Sequence, residues 1–371
     1  GSSRCLAEAS PLSSLREVAC HCRALRGVMM GMGFGSSLVS AAFGLRMMCD
    51  SDSRRERVFA QTALNCATFC WIAKTFFTSW CGVDRARNAL IFEVPEPSYT
   101  VEEEKGSSPQ PEASNKRRQW RLRYLADQAP PGVELLQYQY AAQAAEVHFA
   151  RTETGSSLPL VWFRRKAPPA GSSKDAKPPP PLVLLHFHGD GNDIGSLMAT
   201  YRELWRELGI DVVGVEYRGF GVAEGEPSVR SISADALAAY NYVLSQGFRP
   251  EQVVAYGHCL GSGPTCRLAT SCQLGGFVLH APLLSAAQAV EQPEGFCRPS
   301  CCFWCCDTLR NRDLMAEVGC PGLVVHGRSD EVVPCSHGEK LHEAIPEQYR
   351  WQGLFPKQMR HESIPQVCAP R

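Results

Sequence analysis

The run Val253-Val-Ala-Tyr-Gly-His-Cys-Leu-Gly-Ser-Gly-Pro-Thr265 restricts the possible folds more than any other stretch of the chain. Its first four residues have the apolar, β-prone character of a buried strand. Gly257 and Gly261 then flank Cys259, and Ser262 and Pro264 fall in what reads as the first turn of a helix. A strand that reverses into a helix within so few residues leaves no room for side chains on either side of the tip, which is the work of the two glycines. The residue at the tip is thrust outward at the N-terminus of a helix. Free N–H groups and the positive end of the helix dipole favour a thiolate there and can hold an oxyanion. The spacing is that of a G-x-S-x-G nucleophile elbow with cysteine in the place of serine.

What surrounds this stretch reads as a large α/β unit. The chain has 371 residues, 44% of them hydrophobic, enough for an extensive core without disulfide staples. Lys and Arg total 38, as do Asp and Glu, so no basic footprint for nucleic acid is present. The 18 cysteines lack the spacing of a small disulfide scaffold; they point to a reducing compartment, with some thiols free for lipidation. Residues 1–90 form an apolar, helical or membrane-associating extension. Val28 to Leu45 carry no charge, and Val58 to Val83 place Cys66, Cys70 and Cys81 among Trp71, Phe76, Phe77 and Trp80, as candidate S-acylation sites. Residues 91–131 are expected to be a linker, since 101–118 are charged, Pro/Gly/Ser-containing and without periodicity. Residues 132–371 then form the main domain.

Within it, Glu146–Ala150 and Leu158–Phe163 are expected to pair as a hairpin, and 167–181 to be a solvated loop. Strands at Leu182–Phe187, Asp211–Tyr217, Val253–Tyr256, Gly276–His280 and Gly322–Val325 alternate with helices at Met198–Leu208 and Ser231–Gln246. This β-α alternation predicts a central, mostly parallel sheet with helices on both faces, and a site at the carboxyl ends of its strands.

A nucleophile needs a base, and the base an orienting acid. The elbow resembles that of α/β-hydrolases, where the chain order is nucleophile, acid, histidine. After Cys259, Asp330 lies on a turn just past the strand Gly322–Val325, with Glu331 as the alternative acid. His337 and His342 belong to an expected helix, Ser336 to Ala344. His361 follows a strand-like run, Tyr349 to Phe355, and is the candidate base. The N–H groups of Leu260 and Asp190 are the candidate oxyanion hole, with the Asp190 carboxylate turned away from it.

Other segments extend the resemblance to one family. Ile91-Phe-Glu-Val-Pro-Glu-Pro-Ser-Tyr, His188-Gly189 with Asp193, Glu216-Tyr-Arg-Gly-Phe-Gly, Gly225-Glu-Pro, Leu279-His-Ala-Pro-Leu and the Asp330-Glu-Val-Val turn, in this order, resemble the α/β-hydrolase domain-containing protein 17 family. That resemblance implies an α/β-hydrolase fold and a cofactor-free S-palmitoyl-protein thioesterase. It also implies S-acylated proteins as substrates and acylated N-terminal cysteines that hold the protein at the cytoplasmic face of a membrane. The sequence departs from the family at Cys259, where serine is the rule, and at Met359-Arg360, where a Gly-x-Gly leads into the histidine.

Three outcomes stay open for the cysteine: a hydrolase using a Cys-His-Asp triad, an acyltransferase or general carboxylesterase with the same triad, and a membrane-bound scaffold without catalysis. A further segment, Gly295 to Cys306, gathers Cys297, Cys301, Cys302, Cys305 and Cys306 around Phe303 and Trp304. Its position near 292–312, between strands, suits an apolar lid. Cys302 and Cys305 form a C-x-x-C without a second such unit, so a structural zinc is not expected.

Overall fold

The computed structural model describes residues 88, 91–103, 120–125, 135–165, 181–289 and 307–363. All fall in one compact unit, 65–371. Of the expected extension at 1–90 only residue 88 is described, so its apolar runs and cysteines lie outside the described residues, as do the loop expected at 167–181, apart from residue 181, and the cysteine cluster at 297–306.

The core is a seven-stranded sheet. A hairpin, β3 (Glu146–Arg151) and β4 (Ser157–Phe163), forms one edge. β4 pairs antiparallel with β6 (Asp211–Val215), and from there β5 (Val183–Phe187), β7 (Val253–His258), β8 (Gly276–His280) and β9 (Gly322–Val325) run parallel, in the spatial order 3-4-6-5-7-8-9. The expected mostly parallel sheet is the one observed.

The period-2 direction of strand side chains divides the interior in two. Leu160, Trp162, Val183, Leu185, Val213, Val215, Val253 and Ala255 point to one face, beneath α3 (Val229–Ser245), α4 (Ser262–Ser271), α6 (Asn311–Met315) and α7 (Ser336–Ala344). Val161, Phe163, Leu184, Val212 and Tyr256 point to the other, beneath α1 (Leu135–Ala144) and α2 (Met198–Leu208). A short α5 (Ala286–Ala289) follows β8. Because both faces are covered, β5 and β6 are buried along their whole length, and their sequences are continuous apolar runs with one histidine, one glycine and the Asp211 that anchors the Trp162 indole at 2.7 Å. α3 begins at Ser228, whose hydroxyl accepts the Ser231 N–H at 2.9 Å while the Ser231 hydroxyl accepts the Ser228 N–H at 2.7 Å.

The reading of 91–131 as a linker fails at both ends of that stretch. β1 (Tyr99–Glu103) and β2 (Trp120–Tyr124) form an antiparallel ribbon. Its outer face carries Glu102 and Arg123, paired at 2.9 Å, and it is these charges that give the stretch its solvated look. Its inner face carries Tyr99, Leu122 and Tyr124, all buried. Tyr124 stacks on Tyr138 of α1 with ring centroids 4.4 Å apart. The expected strand at Tyr349–Phe355 is reduced to a 3-10 turn, Glu347–Tyr349, and two isolated parallel bridges, Gly322 to Arg350 and Val325 to Leu354. The segment still follows β9 closely enough to deliver His361 to the carboxyl end of the sheet. Among the described residues no helix is long and apolar enough to cross a membrane.

Glu216, just past β6, ties these layers together. Its buried carboxyl group accepts from the Tyr99 hydroxyl at 2.9 Å, from His188 Nε2 at 3.0 Å and from the Ile194 and Tyr217 N–H groups at 3.2 Å each. Removing it leaves four buried donors without an acceptor. Glu216→Ala is therefore expected to cost about 3–5 kcal/mol in urea unfolding, against a change within about 0.5 kcal/mol for the exposed Glu207→Ala.

Candidate active site

The reversal between β7 and α4 is a single 3-10 turn, Cys259–Gly261. Cys259 sits in it at φ 48°, a left-handed conformation that costs an L-residue about 1–3 kcal/mol and persists only where neighbours enforce it. Here they do. The backbone at Gly261 lies against the carbonyls of Phe187 and His188 at the end of β5, so a side chain at 261 would occupy the space of that strand. Gly257 faces the Gly261 carbonyl in the same way. Ser262 braces the turn: its hydroxyl donates to the Cys259 carbonyl at 2.6 Å and accepts from Asn311 Nδ2 at 3.0 Å and the Leu283 N–H at 3.3 Å. Ser262 stands out in the sequence only as a helix-start residue and Asn311 not at all; the brace joins three segments that sequence order does not connect.

Cys259, Asp330 and His361 are brought together as expected. His361 Nδ1 lies 2.8 Å from Asp330 Oδ2, and the Cys259 side chain stands close enough to the same ring to act on its charge. The Asp330 carboxylate also accepts the Val332 and Val333 N–H groups at 2.8 Å each and faces His326 Nε2 at 3.1 Å. Burial alone would raise the Asp330 pKa. The hydrogen bonds from His326 and His361 outweigh it, and the carboxyl stays well below the usual range. Burial of His361 works against its charged form. The Cys259 side chain and the Asp330 carboxylate oppose that and hold the imidazole pKa up at about 11.

The alternative acid, Glu331, does not reach the ring. Its carboxylate accepts the His361 N–H at 3.3 Å and pairs with Arg360 at 3.2 Å, which fixes the backbone that carries His361. Met359 is buried, and its carbonyl passes against Gly327, where a side chain would block it. The departure at Met359-Arg360 therefore keeps a close backbone crossing by placing the glycine on the opposite strand end. His337 is buried in α7 with Nδ1 3.3 Å from the Leu284 N–H, and His342 accepts the Gly353 N–H at 3.1 Å. Neither joins the site.

Leu260 is buried at the second position of the 3-10 turn, where an N–H has no partner within the turn. Asp190 lies in the turn after β5. Gly189 before it touches the elbow: a Cβ built there would stand 3.4 Å from Cys259 Cβ. Among the described residues, neither the Leu260 nor the Asp190 N–H donates to a loop backbone acceptor. The Asp190 carboxylate is engaged elsewhere, with Oδ1 accepting the Glu93 N–H at 2.6 Å. Burial pushes this carboxyl up to about 7, against hydrogen bonds from the Glu93 and Gly191 N–H groups. Three residues later Asp193 accepts the Ser98 N–H at 2.7 Å and the Ser196 N–H at 2.8 Å. The Ile91–Tyr99 segment thus straps the turn after β5 in place.

His258, which the sequence reading did not single out, packs beside the triad. Its ring is 5.1 Å from that of His361 and 4.6 Å from that of His280, and its Nε2 lies 3.2 Å from the His361 carbonyl. Burial pushes both His258 and His280 toward the neutral form. All five cysteines among the described residues carry free thiols, and of these only Cys259 meets an imidazole and a left-handed turn.

Sheet order and elbow define an α/β-hydrolase fold. No family model matches the chain. Among known proteins, mouse alpha/beta hydrolase domain-containing protein 17C is 31% identical over 288 residues, covering 75% of this chain and 83% of its own. Human alpha/beta hydrolase domain-containing protein 17B is 29% identical over 259 residues, 68% of this chain and 77% of its own. A solved α/β hydrolase from Vibrio vulnificus aligns with a TM-score of 0.49 at 18% identity, over 63% of this chain and 82% of that one. The chain belongs to the alpha/beta hydrolase domain-containing protein 17 family and is a hydrolase.

The charge distribution can be checked without any substrate. In ¹⁵N-detected titrations of the histidine rings, His361 should remain protonated through pH 9, where an ordinary histidine is neutral. In Cys259→Ala its pKa should drop, because burial then opposes Asp330 without the Cys259 side chain. A wild-type ring that titrates near 6.5 would contradict the raised pKa.

Proposed function

We propose that this hydrolase is an acyl thioesterase that removes long-chain acyl groups from protein cysteines, with Cys259 as nucleophile, His361 as base and acid, and Asp330 as the group that orients His361. One observation carries the reading: His361 spans Asp330, at 2.8 Å, and the side chain of a cysteine held at φ 48° on the turn before α4. That is the constellation nucleophilic acyl transfer requires.

The chemistry follows from the geometry. The Cys259 thiolate attacks the thioester carbonyl carbon, and the carbonyl π electrons move onto oxygen. The N–H groups of Leu260 and Asp190 take up that oxyanion in this reading, and the engagement of the Asp190 carboxylate by the Glu93 N–H supports it, since that carboxylate would otherwise repel the charge. The adduct collapses, the substrate thiolate leaves, and it takes the proton from His361 Nε2. The acyl group is now on Cys259. Water attacks this new thioester, giving its proton to His361, and the second collapse returns the Cys259 thiolate and releases the fatty acid. A thioester is the substrate best matched to a sulfur nucleophile, because the first step exchanges one thiolate for another of similar leaving ability. An oxygen ester would have to expel a far poorer leaving group from the same adduct.

Attachment at the cytoplasmic face of a membrane, through the uncharged run Val28–Leu45 and acylation of Cys66, Cys70 and Cys81, fits this substrate class. It would bring the site to acyl chains already at the bilayer.

The test is turnover on a palmitoylated cysteine peptide beside its O-palmitoyl serine analogue. The thioester should be the better substrate by at least about 100-fold. Cys259→Ala and His361→Ala should each lose about 10³-fold or more, and Asp330→Asn up to about 10⁴-fold. An added thiol or amine that diverts most of the acyl group from water would make the protein a transferase. No wild-type turnover, with hydrolysis restored by Cys259→Ser, would mean that the native cysteine silences an otherwise intact site.

A further inference from the structure

The geometry points to an inhibitory transition-metal site formed by His258, His361 and Glu362, which takes Zn²⁺ or a similar divalent ion on the atom that serves as catalytic base. One ligand atom from each of the three residues lies within 4.8 Å of the other two. Two imidazoles and a carboxylate, with a fourth position left to water or another donor, are a donor set suited to Zn²⁺ at bond lengths of about 2.0–2.2 Å.

Each residue is placed for this in a different way. His361 already donates Nδ1–H to Asp330 at 2.8 Å, which leaves Nε2 as its lone-pair nitrogen once the ring loses its second proton. A carboxylate behind a ligating imidazole is the usual support of a metal-bound histidine, since it fixes the ring and raises its basicity. His258 is buried with its ring 5.1 Å from that of His361, held by packing against His280. Glu362 is exposed at the rim, with a carboxylate oxygen within 4.8 Å of a ring nitrogen of each histidine. The two rings supply rigidity and the glutamate supplies adjustment and charge.

The consequence follows from proton accounting. A metal ion on His361 Nε2 takes the lone pair that accepts and returns the proton in acyl transfer. Binding releases the ring proton to solvent. The nucleophile survives but loses its acid and base. The inhibitory role rests on the thioesterase reading above; the binding itself does not.

The experiment uses the full chain, stripped with EDTA, in a Cys302→Ser/Cys305→Ser background that removes the C-x-x-C as a competing ligand pair. Co²⁺ is the probe. One equivalent should produce the visible ligand-field absorption of a low-coordinate nitrogen–oxygen site, and Zn²⁺ should displace it. Glu362→Gln and His258→Gln should each lower Co²⁺ affinity about 30-fold or more. In turnover of the palmitoyl thioester, the half-inhibitory Zn²⁺ concentration should rise at least about tenfold in Glu362→Gln, while its metal-free kcat/KM stays within about twofold of the parent. If both variants bind Co²⁺ as the parent does, or if Zn²⁺ inhibits Glu362→Gln at the parent's concentration, the site is wrong and any inhibition comes from metal on thiols elsewhere. If no form turns over substrate in metal-free buffer, the thioesterase reading fails, and the Co²⁺ titration still decides this site.

Discussion

The structure depends on one close approach, that of the first turn of α4 to the end of β5. The Gly261 backbone rests on the Phe187 and His188 carbonyls, and nothing larger than glycine permits it. Next to this contact Cys259 adopts its left-handed turn, with its Cβ against Gly189 in the turn after β5. The strain is local. The rigidity that sustains it is distributed through Ser262, Asn311 and Leu283 on one side and Glu216, Tyr99 and Asp193 on the other.

The second constraint is electrostatic. A histidine buried as deeply as His361 would ordinarily be neutral. Its pKa is raised instead because the Cys259 side chain and the Asp330 carboxylate flank it, and Asp330 is held well below the usual carboxylate range because four donors converge on it. Cysteine differs from serine at such a position in one respect: a thiol gives up its proton far more readily than an aliphatic hydroxyl, so it asks less of a neighbouring base.

Much of this was legible in the chain. The sheet was visible because its central strands are buried on both faces and so spell uninterrupted apolar runs. The elbow was visible because its glycines are demanded by contact. Asp330 and His361 could be found by their order after Cys259 and their places past the last strand. What the chain hid was set by long-range contacts or masked by surface charge. The β1–β2 ribbon alternates Glu and Arg outward with Tyr and Leu inward, and the charges dominated the reading. His326, one residue past β9, meets Asp330 at 3.1 Å only once the turn between them is formed. Ser262 gains its role only from Asn311 and Leu283, and His258 gains its neighbour only when residues 258 and 361 meet. None of these pairings leaves a trace in spacing.

The most direct test of the account is the mass of the intact protein after brief mixing with palmitoyl thioester and acid quench. The account predicts one added palmitoyl group in the wild type, mapped to Cys259, that decays to free fatty acid. It predicts the same adduct, persisting far longer, in His361→Ala once the pH is raised enough to ionise the thiol. An unmodified wild type, or an adduct of equal size in Cys259→Ala, would contradict the claim that Cys259 is the nucleophile about which the site is built.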